Sequence, residues 1–278
     1  MSTTELFLSQ VRLEQKSFWR NRQAAAFAFA LPLLLLVLFG SLFHGTAAPG
    51  VPFRDYFVAG MLGVALMSAT FTTLAMNLTF HRDLLVLKRF RGTPVTPKVL
   101  FAGKVTSCIV VVVLQTIFVL VVGRLFYDVP FPQNWLAFVL FVVLGIVVFS
   151  VLGIAFTALI PNADSAPAVV QLPFLLLQFI SGIYFTLHAS PKALRVAASL
   201  FPLRWLVEGL RAGYLGLDFV HVTKTADPDG TGSVYVPDKV HGLHAVSSQW
   251  LGLLVLGIWL VIGVWAATKK FRWEKRSG

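Results

Sequence analysis

Charge is the first thing this chain lacks. Asp, Glu, Lys and Arg make up 13% of its 278 residues, against 57% hydrophobic, and the mean hydropathy is +0.79. That leaves too few polar groups to cover a soluble domain, so the chain reads as an integral membrane protein. Acidic residues are scarcer still, 12 against 23 basic, for a net charge of +11. The basic excess flanks apolar runs, as the positive-inside rule requires, and does not signal nucleic-acid binding. One cysteine, Cys108, excludes an intramolecular disulfide and reads as an inert buried thiol. A phosphate-cradling loop is missing: Gly103-Lys104 is the only Gly-Lys pair, and no glycine stands five residues before that Gly. The chain therefore cannot by itself be a P-loop ATPase. HExxH, CxxC and GxSxG are absent, so no catalytic residue and no metal ligand is expected; His241 and His244 read as solvated loop histidines. Lys, Asp and Glu deep within an apolar run are also missing, which argues against an ion-coupled pump with a carboxylate relay. A transporter built this way takes its energy from outside or is a passive conduit.

Long apolar runs are plentiful. Six are expected to cross the bilayer: residues 24–43, 56–80, 101–122, 135–160, 168–187 and 249–267, each long enough at ~20 residues. The expected fold is all-α, a single polytopic transmembrane domain over residues 1–278 with six transmembrane helices. Residues 4–22 place Phe7, Leu8, Val11, Phe18 and Trp19 on one arc and Arg12, Lys16 and Arg20 on another, the pattern of an interfacial amphipathic helix. Pro32 is expected to kink the first span, with neighbouring helices satisfying the freed carbonyl. The largest polar region is 188–248. There Ser190-Pro191 reads as a helix start, 192–200 and 203–215 as short helices, and Asp227-Pro228-Asp229-Gly230 as a turn, with Val234–Val236 a short strand. Glu208 has helical spacing to both Arg204 and Arg211. With both termini on one face, that face holds fifteen of the 23 Lys and Arg: four in the N-terminal segment, six in 81–104 and five in the tail. Both termini are thus expected in the cytoplasm and 188–248 outside, in the cytoplasmic (plasma) membrane.

Two groups of residues could carry function. The basic stretch 82–98, RDLLVLKRFRGTPVTPK, interleaves five positive charges with Leu84, Leu85, Val86, Leu87 and Phe90, and Gly92, Pro94 and Pro97 stop any helix. It suits a groove on a partner protein or a membrane surface; it equally suits a loop that only fixes orientation. Thr70, Thr73 and Asn77 share a helical face in the second span, and Gln171 and Gln178 share one in the fifth. Such groups either pack helices together or line a substrate path. A lipid-modifying enzyme would need clustered His, Asp or Glu at the surface, and only scattered ones occur. A structural scaffold in the membrane is the third class considered.

The stretch 83–104, DLLVLKRFRGTPVTPKVLFAGK, resembles the "basic pair, small residue, Thr-Pro-hydrophobic" loop of ABC type-2 exporter permeases, a family of drug-, nodulation-factor- and polysaccharide-export subunits. Residues 174–216, FLLLQFISGIYFTLHASPKALRVAASLFPLRWLVEGLRAGYLG, are similar to the family's Ser-Gly-hydrophobic span end, short helix, proline motif and Glu-x-x-Arg helix. The proline motif departs: Phe201-Pro202-Leu203 stands where the family usually has Pro-Asn-Pro. The resemblance implies a half-transporter, a membrane permease moving a drug or lipid-like compound outward. It implies two separate ATP-binding subunits as partners, which bind ATP and Mg, and a second identical or similar permease; this chain carries no cofactor. Asp83, Leu84, Leu87, Lys88, Arg89, Phe90 and Arg91 would form the coupling helix, and the N-terminal helix would touch the same partner. Residues 189–215 would be external re-entrant helices capping the exit, with Arg204, Glu208 and Arg211 in that gate. Spans two and five would face the path, giving Thr70, Thr73, Asn77, Gln171 and Gln178 a role there.

Overall fold

The computed structural model describes residues 2–42, 45–86, 96–226 and 233–270. The chain opens with α1 (Thr3–Arg20), started by a capping box: Glu5 N–H donates to Ser2 Oγ, and Ser2 N–H to the Glu5 carboxylate. Helix α2 (Arg22–Leu42) follows, and the two axes diverge by 65°. That break separates the amphipathic segment from the first apolar run. Pro32 lies inside α2 and cannot donate to the carbonyl four residues earlier. Gln115 Nε2 donates to that oxygen, Ala28 O, at 3.0 Å, so the repair comes from a neighbouring helix as the sequence suggests.

A small hairpin, β1 (Thr46–Ala48) and β2 (Val51–Pro52), leads into a long continuous helical element. It consists of α3 (Phe53–Met67), a π turn (Ser68–Thr72) and α4 (Thr73–Asp83). Leu85, at φ +56°, ends it in the left-handed region and redirects the chain. Helix α5 (Pro97–Tyr127) starts on the Thr96 cap with proline in its first turn, and α6 (Trp135–Phe156) starts on Asn134. A 3-10 turn (Thr157–Leu159) and a short loop lead to α7 (Ala166–Ile180). Two short helices follow, α8 (Lys192–Ser199) and α9 (Pro202–Leu215), then a hairpin of β3 (Leu217–Ala226) and β4 (Ser233–Lys239). A single turn, α10 (His244–Ser247), precedes the last long helix, α11 (Trp250–Lys270).

Four stretches are long and apolar enough to cross a membrane: Phe53–Asp83, Lys98–Tyr127, Trp135–Leu159 and Trp250–Lys270. The bent α1–α2 pair makes a fifth if counted as one span. The six spans expected from sequence are therefore four or five by this measure. The difference lies in two expected spans: 24–43, which counts only together with the bent α1, and 168–187, where α7 stops at Ile180 and has 15 residues. At ~1.5 Å per residue it covers roughly 22 Å, less than the ~30 Å hydrocarbon core. The all-α expectation also needs amending: the fold is mostly helical, with two antiparallel hairpins among the described residues.

The core is organised around α9. Every residue of this helix is buried, Arg204, Glu208 and Arg211 included, and it packs against α3, α6 and α11. Gly213 makes this possible: a Cβ there would lie 2.5 Å from the Phe138 backbone nitrogen. The sequence suggests α9 as part of a re-entrant pair on the external side, and the fold packs it among the long apolar helices.

Candidate transport path and its anchors

One cavity, about 670 Å³, meets the π turn through Phe71 and is walled almost entirely by apolar side chains, mostly of α6, α7 and α11. Two more adjoin the turn through Ser68 and Thr72: the larger of these, about 490 Å³, is bounded by α1, α2, α3–α4 and α5; the smaller, about 200 Å³, by α2, α3, α5 and α7. Phe27, Ala28, Ser68 and Thr72 line both, so the cavities are neighbours separated by the π turn. Of the residues picked out in sequence, Thr73 and Asn77 line the larger cavity, and Gln171 and Gln178 the smaller. Thr70 lines neither. It is fully buried and donates to Leu66 O at 2.7 Å. The π turn is the reason: its wider winding advances the register, so Ser68 and Thr72 take the face an unbroken helix would give to Thr70. Gln178 is held by the Tyr184 hydroxyl, which donates to its Oε1 at 2.7 Å.

A buried ionic cluster stands at one end of the larger cavity, and sequence reasoning missed it. Lys104, 2% exposed, places Nζ 2.7 Å from Glu14 Oε1 and 3.1 Å from His81 Nδ1. Gln10 donates to the same Glu14 oxygen, and Gln15 donates to Ser107 O and Oγ at 2.9 Å. In sequence Lys104 counts with the basic residues of 81–104, at the cytoplasmic start of the expected third span, 101–122. Helix α5 begins four residues before that start, at Pro97, and Lys104 lies a full turn and more inside it, under α1. The available signal was Glu14 on the apolar arc of the N-terminal helix, beside Phe7, Val11 and Phe18 and opposite the row of Arg12, Lys16 and Arg20.

Of the expected coupling residues, Asp83 and Leu84 are described; Leu87, Lys88, Arg89, Phe90 and Arg91 lie outside the described residues. Leu84 and Leu85 are exposed and present apolar surface just past α4. Arg82 and Asp83 are buried and point back into the fold. Arg82 donates to Thr157 O (3.2 Å), Ile160 O (2.9 Å) and Pro161 O (3.3 Å), and Asp83 Oδ2 accepts from Ala163 N–H at 2.6 Å.

At the opposite end of the long α3–α4 element, Glu208 pairs with Arg211 at 3.1 Å and not with Arg204. Arg211 is fully buried; its Nη2 donates to Gly182 O at 2.8 Å and its Cζ lies 3.5 Å from the Tyr56 ring centre. The Tyr56 hydroxyl donates to the same Gly182 oxygen at 2.8 Å. Arg204 instead bonds Arg195 O at 2.9 Å and Ser199 Oγ, joining α9 to α8. Burial lowers the Arg204 pKa against the pull of Glu208, and burial together with Asp55 pushes the Tyr214 phenol up.

Several long apolar helices, cavities between them that carry both apolar and polar side chains, and buried ion pairs at both ends are the features of a polytopic membrane protein. The chain belongs to the ABC-2 type transporter family, which matches residues 5–215. It is 27% identical to a protein named as a transport permease, ycf38 of Porphyra purpurea, over 72% of this chain and 71% of the relative. It is 23% identical to the inner membrane transport permease YadH of Escherichia coli K12, over 69% and 75% respectively.

Proposed function

We propose that this chain is the membrane-spanning permease subunit of an ATP-binding-cassette exporter that moves a drug or lipid-like amphipath out across the cytoplasmic membrane. Two separate ATPase subunits, which hold the ATP and Mg, supply the energy. They dock on the basic segment from Asp83 to Arg91, and a second permease, identical or similar, completes the path. Both termini lie in the cytoplasm. The observation that supports this reading best is the pair of adjoining cavities on the π turn. Apolar side chains dominate the wall of the smaller one, where Ser68, Thr72, Gln115, Gln171 and Gln178 supply sparse hydrogen-bonding groups; the larger is about half polar, with Ser68, Thr72, Thr73 and Asn77 on one wall and Glu14, His81 and Lys104 at its end. Such a surface suits a compound with a greasy body and a small polar end. Export of a polysaccharide, the other cargo class in the family, would call for a longer polar route.

Co-expression with the ATPase encoded beside it tests the engine. The expected result is a co-purifying complex with vanadate-sensitive ATP turnover, stimulated by amphipathic compounds and not by oligosaccharides. Replacing Leu87 and Phe90 with Asp is expected to abolish ATPase association while leaving membrane insertion normal. Association unchanged in that variant would remove the docking role.

A further inference from the structure

We propose that Arg82 and Asp83 form a mechanical tether through which movement of the coupling segment is delivered to α7. The proposal rests on the permease reading above and adds to it a transmission route and a positioning residue, Arg82. Each of the two adjacent side chains grips one side of the α6–α7 connection. Arg82 donates to three carbonyls at and just past the end of α6: Thr157 O, which also accepts from the Ile160 N–H, and Ile160 O and Pro161 O beyond the 3-10 turn. Helix ends leave carbonyls short of intrahelical donors and favour a cation beside them. Asp83 accepts from the Ala163 N–H, three residues before α7 begins, where an anion is favoured for the mirror-image reason. The pair is itself bonded, Arg82 Nε to Asp83 Oδ1 at 3.3 Å, and both side chains are under 10% exposed.

The far end of α7 is held to the same continuous element. Gly182 O, just past Ile180, takes hydrogen bonds from Tyr56 at the start of α3 and from Arg211. Helix α7 is thus fastened near both ends of Phe53–Asp83, with Pro173 at its middle, the natural place to bend. The chain leaves α4 through Leu84 and Leu85 directly into the basic segment. A push on that segment reaches Asp83 first, and through the grip on residues 157–163 it reaches α7. Gln171 and Gln178 on α7 wall the smaller cavity, so the push changes the shape of the path.

The test uses the full permease–ATPase complex with an environment-sensitive fluorophore on Leu172→Cys, an exposed site on α7. Trapping with Mg-ATP and vanadate is expected to change the label's emission in the parent complex. Arg82→Lys, which can no longer span three carbonyls, is expected to reduce that change at least fivefold while ATP turnover stays within twofold of the parent. A Gly-Gly insertion between Pro161 and Asn162 keeps Arg82 in place and slackens the connection; it is expected to act the same way, and it decides the matter if Arg82→Lys fails to insert. An undiminished emission change in the slackened complex overturns the tether. So does a parent complex that turns over ATP with no change at Leu172→Cys. A parent chain that binds no ATPase overturns instead the permease reading on which the tether rests.

Discussion

The Glu208–Arg211 pair gives the sharpest energetic prediction. Arg211→Met removes a fully buried guanidinium and leaves the Glu208 carboxylate, 4% exposed, without its counter-ion. Glu208 Oε2 has no hydrogen-bond partner among the described residues, so the carboxylate depends on Arg211 for its stabilisation. Breaking a buried pair from one side costs about 3–5 kcal/mol, whereas replacing both partners by apolar residues of similar volume is often neutral. The double variant Glu208→Met/Arg211→Met still loses the contacts to Gly182 and Tyr56. The Tyr56 hydroxyl continues to satisfy the Gly182 oxygen, so about 1–2 kcal/mol remains as the expected loss. The single variant should therefore be less stable than the double by about 2 kcal/mol or more. At roughly 2–4 °C per kcal/mol this is a gap of roughly 4–8 °C in the midpoint of a thermal melt followed by tryptophan fluorescence in detergent. Equal midpoints, or a double variant that melts first, would refute the argument that an uncompensated charge governs this site.

Further outcomes are expected elsewhere. Gln115→Leu should destabilise the chain by about 1–3 kcal/mol by leaving Ala28 O unpaired. Adding Pro32→Ala restores an N–H for that oxygen and should recover most of the loss in the same melt; no recovery would mean the carbonyl is not what Gln115 serves. Gly213→Ala should cost about 2–3 kcal/mol, because the new methyl meets the Phe138 backbone and not a side chain that can turn aside. Wild-type expression and melting would contradict the close α9–α6 approach. Lys104→Met should loosen α1, read as faster hydrogen exchange across Thr3–Arg20, and Glu14→Gln added to it should restore protection. Slow exchange in the single variant would show that α1 is held without the ion pair.

Local signals in the chain were legible where the structure is local. Pro191 followed by a short helix, a break before Pro202, and a strand around Val234–Val236 all follow from residues within a few positions of one another. The run over 135–160 is apolar enough to be read as a span on composition alone, and the structure has it as Trp135–Leu159. The Glu208–Arg211 spacing is equally local, although choosing Arg211 over Arg204 needed the fold: Gly182, Tyr56 and Glu208 converge on Arg211, while α8 captures Arg204. What escaped were features set by distant partners. Lys104 is buried because Glu14 meets it from 90 positions away, and Arg82 turns inward because carbonyls 75 to 79 positions on await it. The π turn also escaped, since one added residue in a helix leaves no mark on hydropathy. Its effect was to rotate Thr70 off the cavity wall while Thr73 and Asn77 stayed on it.

Both Arg82 and Arg211 take hold of main-chain oxygen. Every amino acid presents that oxygen, so residues 160 and 161 are free to change identity without loosening the Arg82 grip, whereas Gly182 is fixed for another reason: its φ of +72° and a Cβ that would lie 2.7 Å from Leu187. A correlated-substitution search would find the carboxylate mates, Asp83 and Glu208, and miss the main-chain acceptors. Length, by contrast, is not free: adding or deleting a single residue between Thr157 and Ala163 changes the spacing of the contacts that Arg82 and Asp83 make together. Natural variation in this stretch should therefore run to replacements and avoid insertions.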